Sequence, residues 1–410
     1  DQALLAALDT AEPKATAAGG RMQRLITLFL SEGYQITFAS TAKESDKSMN
    51  LGAISVRKQP ILLNHNSFDD FLKEMQPDIV LFDRYPMEEQ FGSRVTEFAP
   101  EALRILDTED LHSLRKTREA ALRQNVIWNT DFWRQSDSTK REIASIYRCD
   151  LSLIISSYEM ELLQNTIKID STLLLHLPFM VGPLSAETIA SWPSFEERID
   201  FMFIGTGKHA PNVDAIKWLK TEIWPLIRAE LPSVNCYIYG SYLPEQIRQV
   251  DSPQDGFYVK GEVEDVAAVM RTKRINLAPL RFGAGIKGKL MAGMLFGTPN
   301  VTTPIGAEGM HNSLAWNGTI AVTAQEFAVA ACSLYNNPSG WKAAQNNGAA
   351  IINGLYRASE HKEKLLRKME SITSDLRAQR NRNFIGSLLQ HQTMASTKYM
   401  SRWIAAKNTD

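Results

Sequence analysis

Short runs of consecutive apolar residues alternate along this chain with longer stretches whose apolar positions recur at helical spacing. QALLAAL (2–8) predicts a buried strand, DTAEPKATAAGG a loop, RMQRLITLFLSEGY (21–34) an amphipathic helix and QITFAS (35–40) a second strand. PDIVLFD (77–83), ALRILDTED (102–110) and DLSLIISS (150–157) are further strand-length runs, separated by helical segments such as LHSLRKTREAALRQ. This alternation predicts an α/β fold with a parallel, doubly wound sheet.

After LPFMVGPL (177–184), where proline and glycine mark a hinge, the pattern begins again. FMFIG (201–205) reads as a strand, TGKHAPN as a loop and VDAIKWLKTEIWPLIRAELP (213–232) as one long amphipathic helix. VNCYIYG, GFYVKGEV, INLAPL and NVTT continue the strands, with a helix over EDVAAVMRTK. From about residue 324 the chain reads as helical to its end. Two doubly wound, Rossmann-like domains are therefore expected, 1–180 and 181–385, with a cleft at the carboxyl ends of both sheets, where open α/β folds take ligands.

Composition narrows the functional classes. The net charge of -1, from 45 basic and 46 acidic residues among 410, supplies no global attraction to nucleic acid. Any anion site must be local. Cys149, Cys236 and Cys332 are few, odd in number and without metal-ligand spacing, which fits a reducing compartment. The longest charge-free apolar run, STLLLHLPFMVGPLSA (171–186), contains a histidine and two prolines and is too short to span a bilayer. The first residue, Asp1, is followed by no basic leader, so no signal peptide is expected.

Local anion chemistry is concentrated in RFGAGIKGKLMAGMLFGTP (281–299). Gly283, Gly288 and Lys289 nearly spell a P-loop, but Leu290 stands where that loop needs a hydroxyl for magnesium. Gly283 and Gly285 permit tight turns, and a helix is expected to start near Ile286. Its free N–H groups and positive dipole end, flanked by Arg281 and Lys287, make a site for phosphate that needs no metal.

APLRFGAGIKGKLMAGMLFGTPNVTTPIGAEGM (278–310) closely resembles the nucleotide-sugar site of family 4 glycosyltransferases. GTGKHAPNVDAIKWLKTEIWPLI (205–227) is similar to the first loop and helix of their C-terminal domain, and AAGGRMQRLITLFLSEGYQITFAS and ILDTEDLHSLRKTRE to segments of their N-terminal domain. The resemblance implies the GT-B architecture: an acceptor domain, a nucleotide-sugar domain, and a last helix, 386–410, crossing back to the first domain. It implies transfer of a sugar from a nucleotide diphosphate donor, without a cofactor or metal, to a glycan, lipid-linked or other hydroxyl acceptor. A cytoplasmic location is expected, and peripheral membrane contact stays open. Donor contacts are implied at Gly19, Gly20, Gly205, Lys208, His209, Arg281, Gly283, Gly285, Ile286, Lys287 and Glu308. The chain departs from the family at Ala284 and Ala292, where an E-x7-E pattern usually places acids. The second of these accepts bonds from the donor's ribose hydroxyls, and alanine cannot.

Structural roles compete with these assignments. Asp107, Glu109, Asp110 and His112 in LDTEDLH either cap the helix expected from Leu111 or supply a base for the acceptor hydroxyl, with His112 the catalytic candidate and Asp110 its partner. Asn212 is expected to cap the helix at Val213. Ala292 also motivates a second class of function, a non-catalytic GT-B partner of an active transferase, and a GT-B nucleotide-sugar epimerase is a weaker rival.

Overall fold

The computed structural model describes residues 1–391 except 8–11, 13–15, 44, 45, 47 and 64. Its first sheet contains β1 (Gln2–Ala7), β2 (Gln35–Ser40), β3 (Arg57–Pro60), β4 (Ile79–Asp83), β5 (Leu103–Asp107), β6 (Leu151–Ile154) and β7 (Leu174–His176), ordered β3-β2-β1-β4-β5-β6-β7. The second contains β8 (Ile199–Ile204), β9 (Cys236–Tyr239), β10 (Phe257–Gly261), β11 (Lys273–Ala278), β12 (Asn300–Thr302) and β13 (Gly318–Ile320), ordered β10-β9-β8-β11-β12-β13. All pairings between these strands are parallel. The two doubly wound domains are as expected.

Strand composition explains the layering. In β1, Leu4 and Ala6 join one apolar cluster while Ala3, Leu5 and Ala7 join another on the opposite face. Val80 and Phe82 of β4 divide from Ile79 and Leu81 in the same way. Both faces are thus covered by helices, which is why these strands read as continuous apolar runs and not as alternations. Each fully buried Leu or Phe contributes about 1.5–3 kcal/mol. Cys149, Cys236 and Cys332 are free and buried in these cores.

The strands β3, β7 and β13 were not expected, and the long helix over 213–232 is not one helix. It runs as Ala210–Trp218, a wider turn over Leu219–Ile223, then Trp224–Glu230. Pro225 brings no N–H to the ladder and crowds the carbonyl four residues back, so the helix widens just ahead of it. The return to the first domain also comes earlier than 386. Leu365, Met369 and Ile372, one stripe of helix Ala358–Thr373, enter the cluster of Leu5 and Phe29. Further along, Arg380 Nη2 lies 2.8 Å from Asp150 Oδ2, and Asn383 Nδ2 donates to Tyr147 O at 2.7 Å. Residues 392–410, most of the expected crossing helix, lie outside the described residues.

A fourth apolar cluster joins the domains. Ile155 and Phe179 of the first domain pack with Ile286, Leu290, Met294 and Met310 of the second. Among the described residues no helix is long and apolar enough to cross a membrane.

Candidate active site

In the second sheet β8 and β11 are neighbours, and the chain goes on from them to opposite sides, to β9 and to β12. The loops after these strands, 205–209 and 279–287, therefore flank a topological switch point, where ligands of such sheets bind. Across the cleft stand the segments that follow β5 and β6. The domains come close at Gly285, whose φ of 63° is left-handed and where a Cβ would lie 2.8 Å from the Cβ of Asp110.

Asp110 is not a helix cap. Helix His112–Arg123 has no side-chain cap at its own N-cap residue, Leu111. Its leading N–H groups are taken by two distant acids: Glu142 accepts from His112 N–H at 2.9 Å and Ser113 N–H at 3.0 Å, and Glu159 accepts from Leu111 N–H at 3.0 Å. Asp110 instead binds His112 Nε2 at 3.1 Å and Arg115 Nε at 2.7 Å. Burial opposes ionisation of Asp110, but Arg115 and His112 outweigh it and hold the carboxyl below the usual range. Glu109 has φ 58° and lies 3.8 Å from Arg84, away from the dyad, its pKa raised by burial and by Asp83.

Burial lowers His112 to a pKa of about 4 against an ordinary 6.5, with Asp110 opposing. The imidazole is neutral at pH 7. With an ionised carboxylate beside Nε2, the ring proton sits there and Nδ1 is left as an acceptor. The folded state resists protonation that the unfolded chain accepts, so this contribution is present above pH 6.5 and lost as pH falls through 6.5 to about 4. Urea midpoints of wild type and His112→Gln are expected to run parallel above pH 6.5, with wild type losing stability relative to the variant below it.

On the opposite wall the two cations named for phosphate binding have separate partners. Arg281 forms a two-pronged pair with Asp214, at 2.9 and 2.5 Å, and lines a 780 Å³ cleft with Gly207, Lys208, Ala210 and Glu119. Lys287 is buried, donates to Gly285 O at 2.8 Å, and is lowered by burial to a pKa of about 8, with Glu308 opposing. Lys289, noted in the sequence only as part of a near P-loop, is lowered to about 7 by burial and by Lys287 and donates to Asn212 Oδ1 at 2.6 Å. Asn212 thus caps nothing: the helix starts at Ala210 with His209 as its N-cap, and Asn212 Nδ2 donates to Thr206 O. The phosphate-loop helix starts at Gly288, with Lys287 as N-cap, two residues later than expected.

Glu308 follows the short turn Pro304–Ala307 and grips Arg118 across the cleft, with both oxygens 2.8 Å from guanidinium nitrogens. Lys208 lies exposed over the Tyr242 ring at 3.7 Å, and His209 is lowered to about 3 by burial and Arg115. Gly19 and Gly20 lie inside the first helical turn and not before it; a Cβ at Gly19 would lie 2.4 Å from the backbone of Glu12. Gly205 makes room for the Asn212 side chain. Ile286 is buried in the cluster joining the domains, so its side chain faces core. The sequence pattern did not single out Arg115, Arg118, Glu142 or Glu159, whose partners lie on other elements.

Comparisons with known proteins bear on the fold and on the second domain. Residues 198–337 match the family model described as glycosyl transferases group 1. No curated protein sequence matches the chain. Similar solved structures include sucrose-phosphate synthase from Thermosynechococcus elongatus, 12% identical, covering 91% of this chain and 100% of that one with a TM-score of 0.68. A glycosyltransferase from Rickettsia africae ESF-5 is 12% identical over 92% of this chain and 100% of its own, with a TM-score of 0.63. HepE from Anabaena, solved in complex with UDP-glucose, is 12% identical over 90% and 99%, with a TM-score of 0.63. Residues 198–337 therefore match the glycosyl transferases group 1, and the two Rossmann-like sheets give the chain the GT-B fold that its sequence resemblance implied.

Proposed function

We propose that the chain moves a sugar from a nucleotide diphosphate donor held by domain 181–385 to a hydroxyl of a glycan or lipid-linked acceptor held by domain 1–180. The observation that carries this reading is the meeting of the Asp110–His112 pair with the Gly283–Lys287 loop across one cleft. Neutral His112 accepts the acceptor hydroxyl's proton at Nδ1, while Asp110 holds the ring and stabilises the imidazolium that forms. Lys287, Lys289 and the start of helix Gly288–Leu295 stabilise charge on the departing diphosphate, with Arg281 at the outer wall. An arriving diphosphate pulls both lysines back towards full charge, because a nearby anion favours the ammonium form. Gly19, Gly20, Gly205, Lys208, His209, Ile286 and Glu308 complete the donor surroundings in this reading, and no metal is given a role. The reaction is assigned to the cytoplasm, with peripheral membrane contact where the acceptor is lipid-linked.

Ala292 favours a second reading, a non-catalytic partner of an active transferase. It lies in the second turn of helix Gly288–Leu295 and offers only its carbonyl, which accepts from Phe296 N–H. A lost charged hydrogen bond is worth about 1.5–3 kcal/mol. Ala292→Glu is therefore expected to tighten nucleotide diphosphate binding by about ten- to a hundredfold. Calorimetric titration of both forms with UDP, GDP, dTDP, ADP and CMP checks this. Binding of one diphosphate, tighter in the variant, supports the transferase reading; binding of none by either form overturns it in favour of the partner.

A further inference from the structure

Glu159 is wholly buried, yet it belongs to neither the catalytic pair nor the cations. It sits just past β6, in helix Ser157–Glu161 of the first domain. Its Oε1 accepts two backbone N–H groups, one from each domain: Leu111, which precedes the His112 helix, at 3.0 Å, and Gly285, in the glycine loop, at 2.8 Å. Its Oε2 is buried without a hydrogen-bond partner. A buried carboxyl with one orphaned oxygen costs stability unless its other bonds matter.

The same loop is held a second time from the first domain. Arg118 donates to Gly283 O at 2.9 Å while it grips Glu308. The Gly283–Gly285 turn is thus pinned at its carbonyl by Arg118 and at its N–H by Glu159. Both pins come from the domain that carries Asp110 and His112.

We propose that Glu159 is a positioning residue: by binding Leu111 N–H and Gly285 N–H through one oxygen, it fixes the glycine loop of the nucleotide-sugar domain at a set distance from the Asp110–His112 pair. It touches no reacting atom itself. This rests on the reading of that loop as the donor site. A substituent that keeps an oxygen at the same reach keeps the function, so Gln replaces Glu, whereas Asp, one methylene shorter, reaches at most one of the two donors.

The test is hydrogen exchange of the full chain, read at the Gly285 amide, together with UDP titration of the same proteins. In Glu159→Ala and Glu159→Asp the Gly285 amide is expected to exchange about tenfold faster, with the core amides of β1 and β8 unchanged, and UDP affinity to fall about tenfold. Glu159→Gln is expected to match wild type in both. Unchanged exchange in the Asp and Ala variants overturns the proposal, and so does a Gln variant as loose as Ala. If Ala does not fold, Asp against Gln decides alone. A wild type that binds no UDP or other nucleotide diphosphate, with the exchange pattern as expected, leaves the seating of the loop supported and overturns the donor reading instead.

Discussion

Replacing Arg21 with leucine is expected to destabilise the first domain by about 3–5 kcal/mol, the cost of leaving one member of a buried ion pair alone. Arg21 is 2% exposed and Asp107 0%. Nε reaches both carboxylate oxygens at 3.0 and 2.9 Å, Nη2 reaches Oδ1 at 2.8 Å, and Nη1 donates to Leu177 O at 2.8 Å and Pro178 O at 3.3 Å. One side chain on the first long helix therefore ties the end of β5 to the start of the interdomain linker. The leucine removes the partner of a carboxylate that water cannot reach, and frees two linker carbonyls with it. Urea unfolding followed by a probe in the first domain should show the shift. The double variant Arg21→Leu/Asp107→Leu should recover much of the loss, because it leaves no charge stranded. Equal losses in the single and double variants would mean that the arginine's packing and carbonyl bonds, and not the stranded carboxylate, set its value.

Nothing around Arg21 in the sequence announces this role. It sits in an amphipathic stretch where an arginine is ordinarily solvated, and its partner lies 86 positions away. The same holds for Arg118 and Glu308, 190 apart, and for Glu159 and Gly285, 126 apart. Local pattern reports which residues share a face, not which faces meet. Where local pattern was enough, it served well: the apolar runs of β1 and β4, which the structure buries on both faces, read as strands. It gave no sign of β3, whose RKQP is polar and mostly exposed on a sheet edge, or of the three-residue strands β7 and β13. The long helix over 213–232 read as one because its apolar spacing runs through Pro225, while the break comes from backbone sterics that periodicity does not carry. Among candidate site residues, Gly283, Gly285 and Lys287 read from the sequence as one loop, and the structure sets that loop against the first domain. That Arg281 is occupied by Asp214, and that Asp110 faces Gly285 and not its own helix, is tertiary information.

Gly285→Ala is the substitution expected to harm function most while sparing the fold. An alanine at φ 63° costs about 1–2 kcal/mol from left-handed backbone alone. Its Cβ would also lie 2.8 Å from Asp110 Cβ and 3.4 Å from Ile155 Cγ2. Neither neighbour yields easily. Asp110 is fixed by Arg115 and His112, and Ile155 sits in the apolar cluster that joins the domains. The strain is relieved most cheaply by backing the loop away from the first domain, which separates the glycine loop from the Asp110–His112 pair and stretches the bond from Gly285 N–H to Glu159. At about 1.4 kcal/mol per factor of ten, a total near 3 kcal/mol predicts roughly a hundredfold loss of kcat/KM for sugar transfer. Gly33→Ala supplies the control: it shares a positive φ, 83°, but nothing lies within 4 Å of its added Cβ and it stands at the far end of the first helix. It should lose a similar 1–2 kcal/mol of stability and little activity. If Gly285→Ala transfers sugar as well as Gly33→Ala, the close approach of the two domains at Asp110 is not the arrangement in which the reaction occurs.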